Sequence, residues 1–263
     1  MPSVLHVSDV HFGPKHLPEI AAALLDLARR APPDLVVVSG DLTQRAKPYQ
    51  FREARAWVDA FGVPVAWVPG NHDVPMYRVW ERLFAPFGAW RRHFDPDLVR
   101  DQRVDGVAAV GVNTAFSWTV KHGRLRPADL ADLDRRLARL SPEITRIVVA
   151  HHPLALLPEL GGEPAARGGA AALAACGRRR VDLVLSGHLH HGFSGPVAAG
   201  NPLVLHAGTA TSSRGRGLER GRNSFNWIEI EENALAVEHR FWDPVRGAFA
   251  TENRRRFPRP CRL

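Results

Sequence analysis

Nine residues in five short segments offer groups that bind cations or move protons: Asp9 and His11 in SDVH, Asp41 in SGDL, Asn71, His72 and Asp73 in GNHD, His151 in AHHP, and His188 and His190 in GHLH. Imidazole, carboxylate and carboxamide without a thiolate suit Mn, Fe, Zn, Ni or Co, and exclude an iron–sulfur cluster or a thiolate-rich structural zinc. A set of this size is too large for one tetrahedral ion. It is about right for two divalent ions that share a bridging carboxylate. Each motif alone would be a chance match; the signal is their order, each at the end of an apolar run.

Those runs are the elements that must position the site. SVLHVS (3–8), DLVVVSG (34–40), PVAWVPG (64–70), RIVVAHH (146–152) and DLVLSGH (182–188) read as strands that end in Gly, Ser, Asp or His. Between them lie helical spacings of three or four: Ile20, Leu24, Leu27 and Ala28; Phe51, Ala54, Val58 and Phe61; Leu130, Leu133, Leu137 and Leu140. Pro127 fits a helix start. The alternation predicts an α/β fold whose strands are buried on both faces by crossover helices, and ligands in such sheets bind at the carboxyl ends of strands. From about residue 192 the pattern changes to FSGPVAA, PLVLHAG, NSFNWIEI and ALAVEHRFW, strand-like stretches expected to build a second sheet packed on the first. One domain over 1–250 is expected. The Gly/Arg loop 211–222 and the basic Pro/Arg-rich tail 251–263 are candidates for mobility.

A chain of 263 residues with 45% hydrophobic and 24% charged residues is ordinary globular material. Cys176 and Cys261 share no motif spacing, so neither a disulfide framework nor a thiolate metal site is expected. No apolar run approaches the ~18 residues of a membrane span, and the N-terminus lacks the basic and apolar regions of a signal peptide. A cytoplasmic location is the expectation. The net charge of +8, with arginine runs at 178–180 and 254–256, is the sole argument for a nucleic-acid partner. The oligomeric state is open, a homodimer included.

The ordered set D-x-H, GD, GNHD, H and GHxH resembles the calcineurin-like metallophosphoesterase superfamily from residue 9 to 190. SGDLTQ, PGNHDVP, AHHP and GHLHH are similar to its bacterial class III cyclic-nucleotide phosphodiesterase branch. The resemblance implies a four-layer α/β/β/α sandwich of two mixed β-sheets flanked by helices. It also implies that Asp9, His11, Asp41 and His190 hold one metal, and that Asn71, His151 and His188 hold the second, with Asp41 bridging. His152 and His191 fall outside this set; alternation along a strand would put His188 and His190 on one side and His191 away from it.

Such a pair of ions answers the difficulty of attacking an anionic diester: they activate a bridging water and clamp the phosphoryl oxygens, so the bridging hydroxide is the expected nucleophile. The leaving alkoxide needs an acid, and His72 resembles the family's residue for that task, with Asp73 expected to pair with its imidazole. Small phosphodiesters such as 3′,5′-cyclic nucleotides are the expected substrates, with a nuclease, or a silent scaffold on the same fold, as alternatives. In segment 76–94, Met76, Val79, Trp80, Leu83, Phe84 and Phe87 fall at helical spacing and predict a packed face, the alternative being an aromatic cap over a base. Segment 113–124 and the loop around Thr209, Thr211, Ser212 and Arg214 also follow strands and border the expected site.

Overall fold

Alternate side chains of the buried strands enter different cores, and that division sets the layers. In strands β1 (Ser3–Val7) and β2 (Leu35–Val38), Val4, Leu35 and Val37 join a central cluster, while Leu5, Val7, Val36 and Val38 join an outer one. In β6 (Thr145–Val149) and β7 (Leu183–Ser186), Ile147, Val149, Leu183 and Leu185 join the same central cluster, while Val148 and Val184 face a third. The central core therefore lies between two sheets, and each outer core is closed by helices. Helices α1 (Pro18–Arg30) and α2 (Pro48–Asp59) cover the first sheet through Leu24, Phe51 and Trp57; α5 (Pro127–Ala138) and α6 (Gly169–Arg178) cover the second through Leu133, Leu137 and Leu173. α1, α2 and α5 each begin at a proline, whose fixed φ and missing N–H cost nothing in a first turn. This is the α/β/β/α sandwich, seen in a computed structural model that describes residues 1–156, 163–196 and 202–259.

The sheets do not divide the chain as its sequence pattern suggests. The first has the order β12 (Ala248–Pro258), β11 (Ala234–Asp243), β10 (Ser224–Ile230), β1, β2, β3 (Val65–Trp67); the second has β4 (Gln102–Val104), β5 (Val107–Gly111), β6, β7, β9 (Leu203–His206), β8 (Phe193–Pro196). Among the described residues the strands after residue 192 form no sheet of their own. β10 pairs antiparallel with β1, Leu5 opposite Trp227, and β9 pairs parallel with β7, Leu185 opposite Leu205. Each half of the chain thus completes both sheets, because β1 and β7 each retain a free edge after pairing with β2 and β6.

Other differences are local. Residues 251–258, expected in a tail, belong to β12, which pairs along β11 with Phe257 opposite Leu235. Its arginines are engaged: Arg254 with Glu229 at 2.9 Å, Arg255 with the Ser194 carbonyl at 3.1 Å, and Arg256 with Glu231. Residues 260–263, with Cys261, and the 197–199 end of FSGPVAA lie outside the described residues. The β4–β5 hairpin was not anticipated, although Asp105-Gly106 at its turn, with Gly106 at φ +69°, is a hairpin signal. Of the packed face expected from Met76, Val79, Trp80, Leu83, Phe84 and Phe87, only Phe87 packs on the outer core, just before α4 (Gly88–His93), whose Trp90 is buried against Phe51 and Phe94. α3 (Val79–Phe84) buries nothing, and Trp80 and Phe84, 74% and 79% exposed, stack on each other. Arg82 ties this short helix to the Pro75 and Thr119 carbonyls rather than to the sheet. Among the described residues no helix is long and apolar enough to cross a membrane.

Leu185 lies wholly between the sheets. Leu185→Ala is expected to cost about 2–5 kcal/mol in urea unfolding, the range for a buried leucine that leaves a cavity; a loss within error would mean that the two sheets do not share one core.

Candidate metal centre

The parallel strands deliver their next residues to one end of the sandwich: Asp9 after β1, Asp41 after β2, Asn71 after β3, His151 after β6, and His188 and His190 after β7. Five of these expected ligands adopt left-handed backbone, Asp9 and His11 at φ +53°, Asp41 at +52°, His188 at +71° and His190 at +56°. For a residue with a side chain that conformation costs roughly 1–2 kcal/mol, so neighbours must enforce it. The Asp9 and His11 amides donate to the Gly40 and Asp41 carbonyls, and Thr209 Oγ1 donates to the Asp9 carbonyl at 2.7 Å. The GHLH geometry differs from the strand expected, since β7 stops at Ser186; left-handed turns at 188 and 190, not pleating, bring both imidazoles inward. Close approach also dictates glycine. A Cβ on Gly70 would stand 2.1 Å from Asp41 Oδ1, and one on Gly187 would stand 2.5 Å from Asp9 Oδ2.

Two donor groups result. Asp9, His11, Asp41 and His190 offer ligand atoms all within 4.8 Å of one another, and all four residues are buried. His190 Nε2 lies 3.1 Å from Asp9 Oδ1, and His11 Nε2 lies 3.7 Å from Asp41 Oδ2. On the other side of Asp41, His151 Nε2 is 3.4 Å from Asp41 Oδ1 and 3.1 Å from Asn71 Oδ1, which is itself 3.0 Å from His188 Nδ1. The Asn71 amide is oriented by its Nδ2, which donates to the Val120 carbonyl, so Oδ1 faces the histidines. His152 groups with His151 and His188, but its Nδ1 is engaged by Thr114 Oγ1 at 2.8 Å. His191 belongs to neither group.

These donors fit cations because their lone pairs oppose one another. The Nδ1–H of His151 donates to the Ser39 carbonyl, which leaves Nε2 to face the oxygens of Asn71 and Asp41. A positive charge is what reconciles three acceptors at that spacing. Burial opposes a charged His151, yet Asp41 raises it to about 9, so a proton sits there unless a metal replaces it. Burial pushes His11 down to about 4 and, together with His151, His188 down to about 3, leaving neutral imidazoles with a lone pair to give. Asp9 and Asp41 stay well below the usual carboxylate range despite burial, held there by His190 and His151 respectively. Among the described residues Asp9 Oδ1, Asp41 Oδ2, His11 Nδ1 and His190 Nδ1 are buried with no hydrogen-bond partner, a costly state that ligation of the two carboxylate oxygens relieves.

The expected pairing of Asp73 with His72 is not what the fold contains. Asp73 accepts from the Leu42, Thr43 and Gly70 amides and from Thr43 Oγ1 at 2.8–3.2 Å, bracing the turn that carries Asp41. Burial and the Asp41 charge push it up to about 7, while the bonds from Gly70 and Thr43 pull the other way. The His72 ring is oriented instead by the Gln44 carbonyl, which takes the Nδ1–H at 3.0 Å. Its Nε2 lies 3.2 Å from Arg214 Nη2. Arg214, noted in sequence only as bordering, is thus a neighbour of the candidate acid. Gln44, Ser39 and Thr209 carried no signal, since they act through backbone carbonyls or on them. All of this opens into a cavity of about 220 Å³ lined by Asp41, Asn71, His72, His188, His190 and Met76, among others.

Residues 2–192 match the calcineurin-like phosphoesterase family. The chain is 29% identical over 202 residues to a probable cyclic nucleotide phosphodiesterase of Synechococcus, covering 73% of this chain and 74% of that protein. It is 27% identical over 247 residues to a cAMP/cGMP dual specificity phosphodiesterase of Mycobacterium tuberculosis, covering 84% and 74%. Among solved structures it is similar to a purple acid phosphatase from yellow lupin seeds, with a TM-score of 0.71 at 14% identity, over 91% of this chain and 51% of that one.

Removing the Asp73 carboxylate strands buried donors at about 1–3 kcal/mol each. Asp73→Ala is therefore expected to melt earlier and to retain less metal, by calorimetry and elemental analysis. Normal stability and metal content, with only the pH profile of turnover altered, would restore its pairing with His72.

Proposed function

The chain belongs to the calcineurin-like phosphoesterase family, and from that premise we propose that it hydrolyses small phosphodiesters, 3′,5′-cyclic nucleotides foremost, at a centre of two divalent metal ions. It is a metal-dependent phosphoric ester hydrolase, as its family and its phosphodiesterase relatives indicate. The observation that carries the reading is the opposition of lone pairs around Asp41, whose two oxygens face separate donor groups.

In this reading Asp9, His11, Asp41 and His190 hold one ion, and Asn71, His151 and His188 hold the other, with Asp41 common to both. When bound, the ions supply Lewis acidity that activates water and offsets charge on the phosphoryl oxygens. The protein's own groups do the rest. Ser39 and Asn71 fix the His151 ring, and Asp73 holds the Asp41 turn in register. His72, its Nδ1–H committed to Gln44, accepts from Arg214 at Nε2 in the free site; when protonated there, Nε2 turns from that donor to the leaving oxygen and gives it the proton. The catalytic domain takes in β12 to Pro258, which extends its first sheet past the boundary expected at 250.

The arginine runs that spoke for nucleic acid are largely balanced. Arg179 pairs with Asp134 at 2.7 Å, Arg254 with Glu229 and Arg256 with Glu231. That favours small esters over polynucleotides.

Chelation is expected to abolish hydrolysis of bis-nitrophenyl phosphate and of cyclic AMP, and Mn, Fe, Zn or Ni to restore it; turnover that persists in verified metal-free protein would refute the metal centre. His72→Ala is expected to keep its metal yet lose about 10²–10⁴-fold in turnover, most for cyclic AMP and least for the nitrophenyl ester. Equal losses on both would remove the acid role.

A further inference from the structure

The mouth of the cavity carries more positive charge than a single diester explains. Arg45 and Arg216 line it, and Arg214, half-buried, places Nη2 3.2 Å from His72 Nε2. The other cations at the rim have structural partners: Arg82 donates to the Pro75 and Thr119 carbonyls, and Lys121 pairs with Glu163 at 2.6 Å. Among the described residues Arg45, Arg214 and Arg216 have no carboxylate partner within ion-pair distance. Asp41 is the only acid among the described residues lining the cavity. Burial lowers Arg214, Asp41 and Asp9 oppose that, and the charges of Arg216 and Arg45 reinforce it.

Asp41 and Asp9 are the two carboxylates of the metal centre, so they leave no counter-charge for the arginines once cations are bound. A diester brings one negative charge, and that charge is drawn to the metals. Three guanidinium groups about one cavity mouth, one half-buried and none paired with a carboxylate among the described residues, are stabilised by an anion supplied from outside, and phosphate matches their forked geometry best.

We propose that Arg45, Arg214 and Arg216 form an anion subsite beside the metal centre, which holds a second phosphoryl group of the substrate. Small diesters that carry a phosphate beyond the one that is cleaved are then substrates beside the cyclic nucleotides, which occupy the metal centre alone and leave the subsite to a free anion. This rests on the reading of the cavity as a phosphodiester hydrolase site. Arg214 bridges the two halves, touching the ring placed at the leaving oxygen while its charge faces the subsite. Arg45 is steadied for this by its guanidinium lying 4.6 Å over the Tyr77 ring. Arg216 is steadied by its own amide, which donates to the His190 carbonyl and ties the arginine loop to the metal turn.

Two measurements separate this subsite from the hydrolase reading. In turnover by the metal-loaded enzyme, the dinucleotide ApA with a 5′-phosphate is expected to exceed plain ApA in kcat/KM by about tenfold or more at low ionic strength, a preference that salt weakens. Arg216→Gln and Arg45→Gln, both exposed positions, are expected to collapse that ratio. In binding, read by calorimetry without turnover, adenosine 3′,5′-bisphosphate is expected to bind at least about tenfold more tightly than adenosine 5′-monophosphate. Equal kcat/KM for the two dinucleotides, or equal affinity for the two nucleotides, overturns the subsite. Failure to cut bis-nitrophenyl phosphate overturns the hydrolase reading instead, and the calorimetric comparison still decides the subsite.

Discussion

A buried collection of lone pairs that cannot satisfy one another is the constraint on which the rest of this structure depends. Asp41 faces His11 with one oxygen and His151 with the other, and Asn71 turns its carbonyl oxygen toward two imidazoles. In water such groups would hydrate separately. Here the closing of two sheets removes the water, so positive charge must take its place. A proton is one such charge: burial opposes it on His151, and Asp41 still raises that imidazole to about 9. Divalent ions serve better, since each can face several donors at once.

Holding that collection together strains the backbone. Five donors occupy left-handed conformations that their side chains disfavour, and glycines stand where any Cβ would strike Asp41 or Asp9. Strain of this kind persists only where surroundings over-determine it. The surroundings are visible: Asp73 gathers amides from two separate turns, and Thr209 and Ser212 both anchor the Asp9 carbonyl. Beneath them the central core of valine, leucine and isoleucine keeps the strand ends level. Stability built in the core is spent at the rim, where function requires poor local geometry.

Much of this was legible in the linear sequence. The donors Asp9, His11, Asp41, Asn71, His151, His188 and His190 stand at the ends of apolar runs, and the runs became strands because β-branched residues suit positions buried on both faces. The hairpin at Asp105-Gly106 likewise has a local signal, a dipeptide suited to a tight turn. Other features had none. A carbonyl such as that of Gln44 or Ser39 is present in every residue, so its use as an anchor leaves no trace in residue type.

The sequence by itself determined the kinds of ligand, the strands that end in them and the fold class, because these follow from side-chain chemistry and from periodicities of two and three to four residues. Only the tertiary structure decided which sheet each strand joined, that Asp73 braces a turn and not an imidazole, that Trp80 and Phe84 lie open to solvent, and that Arg45 and Arg216 line one cavity while Arg214 reaches the His72 ring. The physical reason is the same in each case. Pairing, bracing and exposure depend on what distant segments bring alongside, and a residue's own neighbours in the chain do not encode the identity of those partners.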